Sequence, residues 1–274
     1  MPTLDTPLGP VTAVSFPGRI IAVGEQDMNI VRAVQKRLNA VGCGPVPEDG
    51  VFDKSHTLPA VRLFQARFTD VTSRPLVVDG KIGTVTWGAM FGAGTVASVT
   101  VAPSRLTKAA VDFAGTQVGV LEHPLGSNRG PEVDEYLRAI GLDPASDSFA
   151  WCVAFTHFCY LKAAQKIGIG NPHIKTAGVL DHWNKAKTKP NVRRILHDQA
   201  VADPTLITPG CLFIIDTGGG HGHSGMVLEV ANGRLLTIEG NTNDQGSRNG
   251  IGVFRRDARK VATINKGFID YSAF

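Results

Sequence analysis

The apolar residues of this 274-residue chain change their period at Pro209-Gly210, and that change restricts the fold more than any other feature. Upstream they recur three and four positions apart, the repeat of one helix face. Val31, Val34, Leu38 and Val41 form one such set, and Ala60, Val61, Phe64 and Phe68 a second. Val111, Ala114, Val118 and Val120 suggest another helix, and Val133, Tyr136, Leu137 and Ile140 one more. Downstream the apolar residues gather into short runs: Cys211-Leu-Phe-Ile-Ile215, Gly225-Met-Val-Leu-Glu-Val230, Leu235-Leu-Thr-Ile238 and Gly252-Val-Phe254. Turn sequences at Asp216–Gly220 and Asn232-Gly233 separate them, the second a strong hairpin signal. Helices first and strands afterwards predict an α+β chain in which helices pack on an antiparallel sheet.

The length suffices for two domains, each with its own core. Gly92–Ser104 is rich in small residues and lacks both charge and helical periodicity, so it reads as a linker. The expected division is an N-terminal tail over 1–24, a small helical domain over 25–92, a linker over 93–104 and a larger domain over 105–274. Within the small domain Gly42 ends the first helix, and Trp87, Met90 and Phe91 mark a short third. Asp49-Gly50-Val51-Phe52 and Asp79-Gly80-Lys81-Ile82 recur 30 positions apart, each an Asp-Gly turn followed by an apolar anchor and a helix.

The larger domain carries the chemistry. Cys152 follows Phe149-Ala150-Trp151 and opens an apolar segment without glycine or proline, Val153, Ala154, Phe155, Phe158 and Leu161. A thiol in the first turn of that helix would sit near the positive end of the macrodipole, among free N–H groups able to stabilise an oxyanion. Ser146-Asp147-Ser148 offers N-cap chemistry just ahead. Far downstream, His223 in Gly222-His223-Ser224-Gly225 would start one strand, and Glu239 would end the next. Antiparallel neighbours joined by a tight turn bring those two ends together. Nucleophile, base and orienting group are the minimum parts of a cysteine hydrolase. Asn241, two residues on and on the same strand face if extension continues, could orient the imidazole instead or polarise a carbonyl.

Other readings of the same residues are narrower. His221 and His223 could in principle hold zinc, but a third ligand and a carboxylate base would be required and no matching motif follows. No metal or cofactor is therefore expected, and His221 falls at the rim of the groove. His56, His123, His157, His173, His182 and His197 lack supporting motifs and are expected to be structural or exposed. Lys and Arg total 28 against 24 Asp and Glu, a net charge of +4 spread along the chain. The densest basic cluster, Arg255-Arg256 to Arg259-Lys260, reads as solvated surface rather than a nucleic-acid stripe. Cys43, Cys152, Cys159 and Cys211 do not form a disulfide framework in a chain of this size. No apolar run reaches the roughly 18 residues of a membrane span. Met1–Pro10 has neither a basic n-region nor an apolar core, so it is not a Sec-type signal: either the protein works inside the cell or it leaves by a route that does not read one.

Two resemblances join these observations. Val34-Gln35-x-x-Leu38-Asn39-x-x-Gly42, Asp49-Gly50-x-Phe52, Ala60-Val61-x-x-Phe64-Gln65 and Val78-Asp79-Gly80-x-Ile82-Gly83-x-x-Thr86-Trp87 resemble the small three-helix peptidoglycan-binding domain of wall hydrolases. The chain departs from it at Asp53, where glycine is usual, and by about one extra residue near Leu58-Pro59. Trp151-Cys152-x-x-Phe155, Pro209-Gly210-x-Leu212, Gly222-His223-x-Gly225-x-Val227 and Ile238-Glu239-Gly240-Asn241 resemble the CHAP family of cysteine, histidine-dependent amidohydrolases and peptidases. Cys211 departs from it, standing where aspartate is more common. This second resemblance implies a papain-like fold and metal-free cleavage of amide bonds in peptidoglycan stem peptides or cross-links. Cys152, His223, Glu239 and Asn241 would be catalytic, with Trp151 and His221 at the substrate groove. Loops Ala177–Lys187 and Asn243–Gly250 are expected to form groove walls. Such a hydrolase is expected to act in the periplasm or at the cell wall, delivered as an antibacterial effector by a type VI-like apparatus or released by phage-type lysis, and as an effector it would have a cognate immunity protein as partner. The alternatives are a non-catalytic wall-binding protein and a cysteine protease or deamidase toxin acting on proteins.

Overall fold

The computed structural model describes residues 3–6, 8–12, 14–71, 73–96, 103–231, 233–242 and 250–274. The chain is α+β and divides into two compact units, residues 1–98 and most of 99–274. Parts of the expected tail, linker, Asn232-Gly233 turn and Asn243–Gly250 loop lie outside the described residues, notably 97–102 and 243–249.

The first unit is built on three helices, α1 (Met28–Ala40), α2 (Thr57–Arg67) and α3 (Thr84–Phe91). Their apolar faces supply Val31, Val34, Leu38, Val61, Phe64, Trp87 and Phe91 to one buried core. Asp27 caps α1 by accepting from the backbone N–H groups of Asn29 and Ile30. Asp53 lies three residues before the N-cap position of α2, His56, and accepts from the backbone N–H groups of His56 and Thr57 at 3.0 and 2.7 Å. The departure from glycine at that position thus supplies an acceptor that holds the turn leading into α2.

The 30-residue repeat has a physical cause. The Gln35 side chain donates to Asp49 Oδ1, Val51 O and Thr57 Oγ1, and accepts from Gly50 N. Gln65 repeats the pattern with Asp79 Oδ1, Lys81 O, Thr86 Oγ1 and Gly80 N. Each buried amide ties one Asp-Gly turn to the helix that precedes it and the helix that follows.

The expected tail is partly structured. Strands β1 (Thr3–Thr6) and β2 (Gly9–Thr12) form a hairpin, and Ile21 is buried in a bridge with Ile82. Val14 O accepts from the Trp87 indole, and Phe16 packs edge-on against that ring. Within the expected linker, Ala93–Thr95 is a short 3-10 turn with Thr95 buried.

The second unit opens with α4 (Arg105–Thr116), α5 (Pro131–Ala139), α6 (Cys152–Ile167) and α7 (Val179–Ala186). Strand β3 (Arg193–Leu196) and α8 (His197–Ala202) lead into β4 (Leu212–Gly218), β5 (His221–Ala231), β6 (Arg234–Thr242), β7 (Gly252–Lys260) and β8 (Gly267–Asp270). The sheet order is β3-β8-β4-β5-β6-β7. Leu212 and Ile214 of β4, Met226 of β5 and Ile238 of β6 share one core with the helices. The Tyr160 hydroxyl donates to Gly210 O at 2.8 Å, fastening α6 to the turn where the sequence changes period.

Three local expectations are corrected. The first helix of this unit ends at Thr116, and Val118 is exposed rather than on its apolar face. Ala177–Lys187 is largely the helix α7, not a loop. Strands β3 and β8 went unrecognised; each has only four residues, too few to display alternation.

Candidate active site

Cys152 is the first residue of α6, with Trp151 in the N-cap position. Among the described residues no side chain caps this end, so Ser146-Asp147-Ser148 does not perform the expected role; Ser148 instead bonds Asn128 at 2.9 Å. The open first turn leaves helical N–H groups near the sulfur without intrahelical partners. Trp151 is fully buried, and its indole N–H donates to Glu122 at 2.9 Å. It therefore supports α6 from inside the core and cannot line a groove, contrary to the expectation. Glu122 also accepts from the Asn128 N–H, holding the 122–128 segment against the start of α6.

His223 lies near the start of β5 and Glu239 toward the end of the adjacent β6. His223 Nε2 and Glu239 Oε2 are hydrogen bonded at 2.8 Å, with side-chain exposures of 5% and 0%. That bond uses Nε2, and Cys152 lies close enough to the ring to raise its basicity. Burial alone would make the imidazole less basic. The bonds to Cys152 and Glu239, with the charges of both, outweigh it and raise the pKa to about 9. Burial pushes Glu239 the other way from its partners; bonds from His223 and Arg259 prevail and hold it down to about 2.

Two glycines make room for this pair. A Cβ at Gly225 would meet Glu239 Cγ and Phe213 Cε1 at 2.8 Å, so the carboxylate lies directly across that backbone. A Cβ at Gly240 would meet Phe155 Cβ at 2.7 Å, so β6 reaches α6 only without a side chain there. Thus the glycines beside the histidine and the glutamate serve close packing.

The argument for Asn241 fails on geometry. The pairing of β6 with β7 shifts between Glu239 and Thr242, and Asn241 has φ +52°, so extension does not continue. Its side chain is buried, its Oδ1 has no hydrogen-bond partner among the described residues, and the imidazole engages Glu239 instead. His221 is exposed at the edge of β5, opposite Gly218.

The basic cluster is also corrected. Arg259 Nε and Nη2 donate to Glu239 Oε1 and Oε2, each at 2.6 Å, and Arg256 Nε stands 3.9 Å from Oε1. The two side chains are only 15% and 8% exposed. Sequence reasoning missed them because a basic run on a strand resembles solvated surface. The signal available was position: the run lies on the strand that follows Glu239.

Residues 144–241 match the family model for the CHAP domain, and residues 27–90 match that of a peptidoglycan binding domain. The chain carries a CHAP domain. Neither a curated protein nor a solved structure matches the chain. The CHAP match begins just before the start of α6 and ends within β6, spanning Cys152, His223 and Glu239. Together the two domains support a role as a cell-wall hydrolase with peptidoglycan as partner. Among the described residues no helix is long and apolar enough to cross a membrane, and no group of three or more His, Cys, Asp or Glu side chains is arranged to hold a metal ion.

Three further histidines form a buried cluster that the site does not use. His157 and His173 approach at 3.2 Å through their Nδ1 atoms, and His182 Nε2 bonds the Tyr271 hydroxyl at 2.8 Å. Burial lowers all three pKa values, to about 4 for His157 and about 3 for His182.

Proposed function

We propose that the protein is a thiol-dependent peptidoglycan amidase or endopeptidase. The observation that carries this reading is one buried imidazole bonded on Nε2 to Glu239 and made more basic by the nearby cysteine that opens α6. In the proposed mechanism Cys152 and His223 form a thiolate–imidazolium pair, and Glu239 holds the ring's orientation and balances its charge. The sulfur attacks the carbonyl carbon of a stem-peptide or cross-link amide. First-turn N–H groups of α6 take the negative oxygen. His223 passes its proton to the leaving amine as the C–N bond breaks and a thioester remains. Water, deprotonated by His223, then releases the acid and restores the thiol.

The first unit serves as the wall anchor in this reading. Holding an enzyme on an insoluble polymer raises the local concentration of its substrate. A groove of about 530 Å³, lined in part by Ile30, Arg32, Ala33, Lys36 and Phe91, is the proposed seat for the wall polymer. Delivery as an injected effector or as a phage-type lysin leaves the chemistry the same; as an effector it would require an immunity protein that covers Cys152.

Mass spectrometry of fragments released from sacculi tests the reading. Each hydrolysed amide should leave a new amine and a new carboxylate, with the glycan linkages intact. Wall binding without soluble fragments would instead favour a non-catalytic anchor.

A further inference from the structure

Glu239 is a fully buried carboxylate whose bonding capacity is filled. Oε1 accepts from Arg259 Nε at 2.6 Å and from Thr237 Oγ1 at 2.7 Å. Oε2 accepts from Arg259 Nη2 at 2.6 Å and from His223 Nε2 at 2.8 Å. Four donors occupy about the four lone-pair directions that a carboxylate offers. The carboxylate plane therefore cannot turn without breaking a bond, and the oxygen facing His223 is selected by the guanidinium fork. Arg259 is itself held, its guanidinium 4.7 Å above the Phe213 ring. A thiolate, an imidazolium and a carboxylate alone would leave this buried site with net negative charge. The guanidinium balances it, and Arg256 adds a second, more distant cation on Oε1.

We infer that Arg259 is a positioning residue for the proposed reaction: it clamps Glu239 in the one rotation that serves His223 and supplies the charge that lets the ionised pair exist in the interior. The inference rests on the thiol mechanism proposed above, but not on which polymer is cut. The groups acting on Glu239 are His223 from β5, Thr237 from its own strand, and Arg256 and Arg259 from β7, with Cys152 of α6 acting through His223. Removing the fork frees the carboxylate to rotate and to take a proton, which weakens its hold on the imidazolium. A lysine keeps the charge but cannot span both oxygens.

The test reads Cys152 directly, without any wall substrate. The full-length protein is labelled with iodoacetamide across a pH series, and labelling at Cys152 is resolved by mass spectrometry, with Cys152→Ala as the blank. In Arg259→Gln the acidic limb of the labelling profile is expected to move up by about one pH unit, so labelling at a fixed acidic pH slows about tenfold. Arg259→Lys is expected to recover part of that loss. A folded Arg259→Gln protein with the unsubstituted profile overturns the inference, whether or not sacculi are cleaved. Should both variants unfold, nuclear magnetic resonance of the unsubstituted protein decides: the Arg259 Nε–H signal is expected to exchange slowly and shift as His223 titrates, and a signal indifferent to that titration overturns the inference. A displaced labelling profile in a protein that releases nothing from sacculi would sustain this inference and refute the wall-hydrolase reading.

Discussion

A carboxylate with no exposed surface stays ionised only when donors converge on it, and Glu239 meets that condition through His223, Arg259 and Thr237. Its replacement by glutamine should therefore cost more than a hydrogen bond: the ring loses a charged acceptor, and kcat should fall roughly 10²- to 10⁴-fold. Asn241→Ala should leave the His223 titration unchanged, because the imidazole bonds Glu239. Imidazole resonances followed through a pH series would distinguish the two variants. The same residues set the pH dependence of stability. His223 has a folded pKa of about 9, above its ordinary 6.5, so its contribution is complete below about 6.5 and fades as pH rises through 9. Glu239, depressed to about 2, contributes above its ordinary 4.5 and loses that contribution as pH falls through 2. His157 and His182 are depressed from 6.5 to about 4 and 3, so unfolding takes up protons on that side and stability falls as pH drops below 6.5. Calorimetry should find the thermal midpoint of the second unit already declining between about pH 6.5 and 4.5, before ordinary carboxylates titrate. A flat midpoint there would contradict the burial of the histidine cluster.

Elements bring the site together, and close contact between them is what mutation should expose. Gly225→Ala would press a methyl group against Glu239 and Phe213, costing about 1–3 kcal/mol and lowering activity beyond that loss by displacing the carboxylate. Gly240→Ala would drive β6 from Phe155 of α6, with a similar cost in stability. Denaturant midpoints beside turnover at a fixed folded fraction separate the two effects. At this scale much was legible in the sequence. Apolar periodicity marked α1, α2, α3, α5 and α6, and apolar runs bounded by turn sequences marked β4 to β7. The pairing of His223 with Glu239 followed from two strands and a tight turn. Arg259 and Glu122 were not legible, since a charged residue becomes buried only through partners distant in sequence. Asn241 was misplaced because a single left-handed residue ends the alternation on which its assignment depended.

The whole molecule joins a peptidoglycan-binding domain to a CHAP domain, and each can be disturbed separately. Gln65→Ala should strand Gly80 N and Lys81 O inside the first unit, destabilising it by about 1–3 kcal/mol. Retention on sacculi should fall, while hydrolysis of a soluble stem-peptide fragment should persist; a binding assay beside a peptide assay would show the split. The recurrence of the Asp-Gly turns foretold this architecture, but not that Gln35 and Gln65 are the groups that hold it. The central claim, that the Cys152 sulfur attacks a wall amide, is reached most directly by acid-quenching the enzyme on digesting sacculi and weighing its Cys152 peptide. A stem-peptide adduct on that residue, absent from Cys152→Ala together with all release of fragments, is the expected result. Undiminished release by Cys152→Ala, with no adduct on the unsubstituted enzyme, would contradict it.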